Sequence, residues 1–333
     1  MPSLISRRVV VGAASALAAT VLVAGLLAVT AGPSGPPAAH FASKKQILLE
    51  ASRTSTRAVE VGRATAAVPA PTLVAVGDIA CPPGSKPTTT TCRQATTASY
   101  AASLKPTWVL ALGDLQYQKG SLDDFRNSYD KSWGALKSIT MPVVGNHEYM
   151  TPGAAGYYSY FDTTEKRGYY VSEVGGWRVY VLNSNCDKIN CGTENLWFNQ
   201  QLRDHPAACT LMAMHHPRYS SGLEHGSSTV PRPFWRTAYQ HHVDVALAGH
   251  DHDYERFRRM DGEGVRRAKG IVSFVSGTGG RSLYHLGTKR PNSQYFQARR
   301  FGVLKLTLGD GTWSWNYRTT GGTSLDSGTN GCV

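Results

Sequence analysis

Acidic residues are scarce in this chain of 333 residues: 23 stand against 35 basic ones, for a formal net charge of +12. Charged residues of both signs reach only 17%, while hydrophobic ones make up 41%, which excludes a disordered polyelectrolyte and argues for a globular protein. The basic excess has no basic helix and no aromatic-basic repeat behind it, so no nucleic-acid partner is evident. Five of the twelve net charges fall in the first 70 residues, which hold seven basic and two acidic side chains. Neither an internal repeat nor a second folded domain is apparent, and the length suits one substantial α/β domain with additions.

The longest apolar run is confined to the N-terminus. Ser6-Arg7-Arg8-Val9-Val10-Val11 sets paired arginines before an Ala/Val/Leu stretch that ends near Ala31. Residues 1–31 therefore read as an export signal of the twin-arginine type. A retained anchor is the alternative, since 9–30 is long enough to span a bilayer, and it would be the sole membrane contact. Residues 32–71 read as a linker, opening with Gly-Pro-Ser-Gly-Pro-Pro and closing with Pro69-Ala70-Pro71. The expected folded domain is 72–333, and its expected location is extracytoplasmic.

Cysteines number six: Cys81, Cys92, Cys186, Cys191, Cys209 and Cys332. An even count in an exported chain argues for disulfides, with about fifteen connectivities open. Short loops favour Cys81–Cys92 and Cys186–Cys191, which leaves Cys209–Cys332 to tie the C-terminal tail to a core strand. A thiolate metal ligand at Cys81, three residues after Asp78, is the less favoured alternative among hard oxygen donors.

Five short apolar runs each end in residues that bind metal or phosphate. Thr72-Leu73-Val74-Ala75-Val76 runs into Gly77-Asp78, and Trp108-Val109-Leu110-Ala111-Leu112 into Gly113-Asp114-Leu115-Gln116-Tyr117. Ile139-Thr140-Met141-Pro142-Val143-Val144 leads to Gly145-Asn146-His147-Glu148, and Thr210-Leu211-Met212-Ala213-Met214 to His215-His216-Pro217. The last run, Val243-Asp244-Val245-Ala246-Leu247-Ala248, ends in Gly249-His250-Asp251-His252. Each run has strand length and composition. In α/β sheets ligands gather outside the carboxyl ends of strands. Carboxylate, phenol, amide and imidazole groups accumulated there point to a dinuclear metal site.

Helices are expected between these strands at 92–104, 121–137 (with Ser121 as N-cap), 193–205 and 233–242. Trp197, Phe198 and Leu202 are the buried candidates of the third. Later segments at 271–276, 301–308 and 312–318 read as strands, the last two as a hairpin, and 168–183 as another turning at Gly175-Gly176. Two face-to-face sheets with helices outside fit this pattern.

The blocks Gly-Asp, Gly-Asp-x-x-Tyr, Gly-Asn-His-Glu, a strand-end His and Gly-His-x-His, in that order, resemble the calcineurin-like metallophosphoesterases. Tyr117 and the run His252-Asp253-Tyr254-Glu255-Arg256 resemble the purple acid phosphatase branch of that superfamily. The sequence departs from the branch at Ala80, where glycine is usual. The resemblance covers 72–317 and implies a four-layer αββα sandwich with two metal ions. By resemblance one metal takes Asp78, Asp114, Tyr117 and His252, and the other takes Asp114 as a bridge with Asn146, His215 and His250. A phenolate ligand calls for a strong Lewis acid, so Fe(III) is expected in the first site and Fe, Zn or Mn in the second.

The resemblance also implies that His147 faces the substrate phosphate and that His225 acts as general acid. Only one of the paired substrate-facing histidines of the plant enzymes is matched, since Glu224 precedes His225. Arg218 and Arg281 are candidate phosphate contacts, and Gly277-Thr278-Gly279-Gly280 reads as a tight turn. His40, His205, His216, His241, His242 and His285 are assigned to surface or packing. The implied activity is hydrolysis of small phosphate monoesters by metal-activated water. A phosphodiesterase acting on nucleotides or lipids and a non-catalytic metal-containing surface protein are the alternatives.

Overall fold

The computed structural model describes residues 69–163 and 166–333, so the expected export signal and nearly all of the linker lie outside the described residues. In chain order the first strands are β1 (Thr72–Val76), β2 (Trp108–Leu112), β3 (Thr140–Val143), β4 (Tyr170–Val174), β5 (Trp177–Val181) and β6 (Thr210–Ala213). They are followed by β7 (Val245–Ala248), β8 (Tyr254–Met260), β9 (Ile271–Ser276), β10 (Ser293–Gln297), β11 (Gly302–Leu308), β12 (Thr312–Thr319) and β13 (Ser324–Gly331). One sheet has the order β13-β12-β11-β1-β2-β3, the other β10-β8-β9-β7-β6-β5-β4.

Strand periodicity builds the layers. Along β1, Leu73 and Ala75 enter the core between the sheets, whereas Val74 and Val76 enter a second core on the outer face. The same alternation sends Leu211 and Ala213 of β6 inward and Met212 outward. Strands buried on both faces carry no polar alternation, as expected where helices cover a parallel sheet. β1, β2 and β3 pair in parallel, as do β5, β6, β7 and β9, so their carboxyl ends align. This is the four-layer sandwich the motifs imply.

The helices are α1 (Gln94–Ser103), α2 (Leu122–Asp124), α3 (Ala155–Tyr160), α4 (Cys191–Asp204) and α5 (Arg232–Gln240). In α4, Phe198 and Leu202 are buried as expected, while Trp197 is half-buried. The expected single helix over 121–137 does not form. Ser121 does cap α2, accepting from the Asp124 amide at 3.1 Å, but a π turn at Phe125–Tyr129 and a 3-10 turn at Gly134–Ile139 follow. Phe125, Tyr129 and Trp133 are all fully buried against the outer face of the first sheet, and seating these three rings takes precedence over regular helix.

Three strands and one helix went unanticipated. β8 begins inside what reads as a loop motif, β10 is an edge strand, and β13 makes the tail a full partner of β12, from Thr312↔Gly331 to Arg318↔Ser324. The tail is therefore held by a ladder as well as by a bridge, unlike the simple tether expected from the cysteines. The bridges themselves are Cys81–Cys92, Cys186–Cys191 and Cys209–Cys332, as the loop lengths suggested. Pairing with Cys92 removes Cys81 from the candidate ligands. No helix among the described residues is long and apolar enough to cross a membrane.

Removing the Cys209–Cys332 bridge by Cys209→Ala with Cys332→Ser is expected to cost about 2–5 kcal/mol in urea unfolding, the range of native bridges. Because β13 is independently paired, amide exchange should still show its ladder protected below the transition.

Candidate metal centre

All seven candidate ligands leave the carboxyl ends of β1, β2, β3, β6 and β7 and converge on one point between the two sheets. The turns that carry them are tight. Asp78, Asp114 and His250 have φ values of 59°, 49° and 73°, a left-handed region that ordinary side chains avoid. Gly113 (φ 85°) gives the space this requires, since a Cβ there would lie 2.5 Å from His215 Nδ1. A Cβ at Gly145 would collide with the Asp114 amide.

Glu148 holds the turns from behind. Its buried carboxylate accepts from the amides of Asp114 (3.0 Å), Leu115 (2.9 Å), Gln116 (3.2 Å) and Gly145 (2.8 Å), joining the exits of β2 and β3. Burial pushes this carboxyl up to about 8, with Asp114 adding to the rise and the amide donors opposing it. The 277–280 turn closes the other side: Gly279 N donates to Gly77 O and Arg281 N to Asp78 O.

Donor and acceptor bookkeeping shows what belongs in the centre. The Tyr117 hydroxyl lies 3.0 Å from Asp78 Oδ1, from Asp114 Oδ2 and from His252 Nε2. One phenolic proton serves one of these three lone pairs. Burial, then Asp114 and Asp78, hold the phenol well above its ordinary range, so it is a neutral phenol until a cation joins it. Beside this group, His215 Nδ1 donates to the Leu112 carbonyl at 2.9 Å; burial lowers this imidazole but the Asp114 charge outweighs it and raises it to about 9, so Nε2 holds a proton that a metal ion would displace. That Nε2 is 3.0 Å from Asn146 Oδ1, 3.2 Å from His250 Nδ1 and 3.3 Å from Asp114 Oδ1, so a single proton stands among three acceptors. Burial, reinforced by the His215 charge, holds His250 far below the usual imidazole range and keeps it a neutral donor of electrons.

Asp114 presents Oδ2 to the first group and Oδ1 to the second. Two overlapping sets of hard oxygen and imidazole donors, short of protons and buried, fit two metal ions sharing Asp114. Ser282 Oγ at 2.8 Å from His252 Nδ1 orients the one imidazole as Leu112 orients the other.

The two further candidates lie at the rim. His147 is set by its Nδ1, 2.7 Å from the Gln118 carbonyl, which turns Nε2 toward Asp114 Oδ2 at 3.8 Å. His225 is exposed and its ring stacks on His250 with centroids 4.0 Å apart. Its loop is tied to the metal-ligand turn by Asp251, which accepts from the amides of His225 and Gly226 and from the Ser220 hydroxyl. Arg281 lies 5.1 Å from the Tyr117 ring centroid. Arg218 instead packs over Tyr219 and donates to the Ser228 carbonyl.

Sequence reading missed several neighbours. His216, assigned to surface or packing, packs within the site: its ring is 4.5 Å from that of His250, and its Nδ1 meets Ser184 Oγ at 2.8 Å. Burial, with His215 adding to it, pushes His216 down to about 3. Tyr284 lies flat on His252, 3.8 Å away and only 6° from parallel. It follows the candidate Arg281 by three residues but matches no motif, whereas His216 stands beside a strand-end histidine and was findable.

Over residues 71–254 the chain matches the family profile described as Calcineurin-like phosphoesterase. The chain belongs to that family. Purple acid phosphatase 23 of Arabidopsis thaliana is 28% identical over 206 residues, covering 50% of this chain and 45% of the relative. Probable purple acid phosphatase 20 of the same plant is 26% identical over 239 residues, with coverage of 61% and 54%. The chain spans about half the length of the curated relatives it matches. The fold superposes on purple acid phosphatase PPD1 from yellow lupin (Lupinus luteus) seeds with a TM-score of 0.63 at 19% identity, covering 78% of this chain and 53% of that one. GAP50, the anchor in the inner membrane complex of Plasmodium, gives 0.62 at 14% identity over 80% of this chain and 90% of its own. Together these matches support the purple acid phosphatase-like branch of the family.

Glu148→Gln is expected to turn an amide NH₂ toward backbone N–H donors, at about 1–3 kcal/mol for each buried donor left unmatched. Elemental analysis should then show metal content well below that of the unaltered protein, alongside a lower melting temperature.

Proposed function

We propose that this chain is an exported dinuclear phosphoesterase that hydrolyses small phosphate monoesters. The observation carrying this reading is the crowd of buried lone pairs at five strand ends, with Asp114 turned to both halves. Asp78, Asp114, Tyr117 and His252 would hold one ion, and Asp114, Asn146, His215 and His250 the other. Bound there, two metal ions would neutralise the ester's charge and render a water nucleophilic near neutral pH. Tyr117 favours iron in the first site, because a buried phenol gives up its proton only beside a strong Lewis acid.

The chain's own groups complete the chemistry. His147, oriented by the Gln118 carbonyl, presents Nε2 at the mouth of the centre, where an oxygen of the ester phosphate would rest. Arg281, held over the Tyr117 ring, adds positive charge on the adjoining side. His225 stands on the exposed face of His250, where it would donate a proton to the departing alkoxide. Three disulfides and the paired arginines of the first 31 residues support an extracytoplasmic location. Comparing turnover of mono- and bis-(p-nitrophenyl) phosphate tests the monoesterase reading. Faster cleavage of the diester would replace it with a phosphodiesterase, and no metal-dependent phosphate release from either would remove catalysis altogether.

Tyr117→Phe is expected to keep the fold and lose a visible absorption band. A colourless unaltered protein, with zinc or manganese in both sites, would exclude iron. His225→Ala is expected to slow alkyl phosphates by about 10²–10⁴-fold and p-nitrophenyl phosphate far less, because a nitrophenolate leaves without a proton. Equal slowing of both substrates, with metal content unchanged, would make His225 a phosphate-binding or loop-ordering residue.

A further inference from the structure

β8 starts two residues after the ligand His252 and carries three arginines to the opposite end of its sheet. At about 3.3 Å per residue, Arg258 lies about 20 Å along the chain from that ligand. Where β8 faces β12 and β13, a cleft of about 420 Å³ opens, lined by Arg256, Arg258, Arg259, Arg266, Arg267 and Trp315 among others. Five guanidinium groups in one concavity are unusual in a chain with only 17% charged residues.

Their pairing is uneven. Arg256 donates through Nε (2.7 Å) and Nη2 (2.9 Å) to the buried Asp326 and stacks over Trp315, 4.9 Å from its ring. Arg267 Nε donates to Asp261 at 2.9 Å. Arg259 is pinned to the Gly270 and Gly331 carbonyls, with the Asp244 charge nearby. These three are held in place by contacts behind them, and their orientation needs no further ordering when a ligand arrives. Arg258 and Arg266 are exposed, and neither meets a carboxylate among the described residues. Beside Arg258 there is only the amide of Gln294, whose oxygen accepts from its Nε and Nη2. Three anchored arginines and two uncompensated ones thus surround a space of the right size for clustered anionic groups.

We propose that this cleft is a second anion site, distinct from the metal centre, that binds a multiply charged phosphate- or sulfate-type oxyanion group through bidentate arginine contacts. A soluble polyanion and the headgroups of an anionic lipid surface present this same chemistry, and the two are separated by the probes used. Binding is measured with the metal-loaded protein and sucrose octasulfate, which has no phosphate to hydrolyse, and with phosphatidylglycerol vesicles against phosphatidylcholine ones. The comparison variant is Arg258→Gln with Arg266→Gln, which leaves every anchored arginine and every metal ligand intact. Its melting temperature and p-nitrophenyl phosphate turnover are expected to match the unaltered protein. Octasulfate affinity should fall at least tenfold in the variant if the ligand is soluble, and vesicle retention should be lost if it is a lipid surface. Either loss supports the site. Equal binding of both probes by the two proteins, or binding of neither, would falsify it.

Discussion

Too many lone pairs and too few protons meet at the strand ends, and the fold is arranged to hold them there. Carboxylates, imidazoles, an amide and a phenol would relax apart if left to themselves, because acceptors outnumber the protons shared among them. What prevents this lies one layer out. The Leu112 carbonyl and Ser282 hydroxyl fix two imidazoles, and the Glu148 carboxylate binds four amides of the turns that carry Asp114 and Asn146. The parallel strands behind these turns are buried on both faces, so no ligand turn can shift without opening a core.

The same arrangement explains why residues far apart in the chain act as one group. Asp251 lies between two candidate ligands yet faces away from them, toward the loop that carries His225. The His-x-His spacing on that turn puts alternate side chains on the centre and leaves the middle one to hold the rim. One tripeptide therefore serves both the candidate metal centre and the loop above it.

How much was legible follows from where the information sits. Runs such as Leu73-Val74-Ala75-Val76 are apolar on both faces, and a glycine followed by a metal-binding residue type marks four of the five exits, so five strands could be read directly and the seven candidate ligands by resemblance. β8 and β13 could not, for opposite reasons. Tyr254-Glu255-Arg256-Phe257-Arg258-Arg259-Met260 carries four charges, of which Glu255 is buried against Ser221 and Arg256 is paired with Asp326, and Asp326-Ser327-Gly328-Thr329-Asn330-Gly331 has little strand propensity of its own. Both are strands because a neighbour offers a ladder. The break in the helix expected at 121–137 reflects aromatic packing, which outweighs propensity. Tyr284 joins the site through tertiary contact alone, so nothing in its local sequence declares it, whereas His216 is flagged by the strand-end His215 beside it.

The pairing of Thr72 with Thr307 bears on how the domain comes into being. β1 sits between β2 and β11, so the first strand of the domain is completed by one that leaves the ribosome some 230 residues later. Half of the metal centre hangs from that strand and its neighbour. Synthesis must therefore be nearly finished before the Asp78 turn has its final support, and contacts this remote in sequence make for slow closure. Until then the turns that carry the candidate ligands lack a scaffold, a vulnerable interval that favours assembly in a single late step over gradual ordering from the N-terminal end.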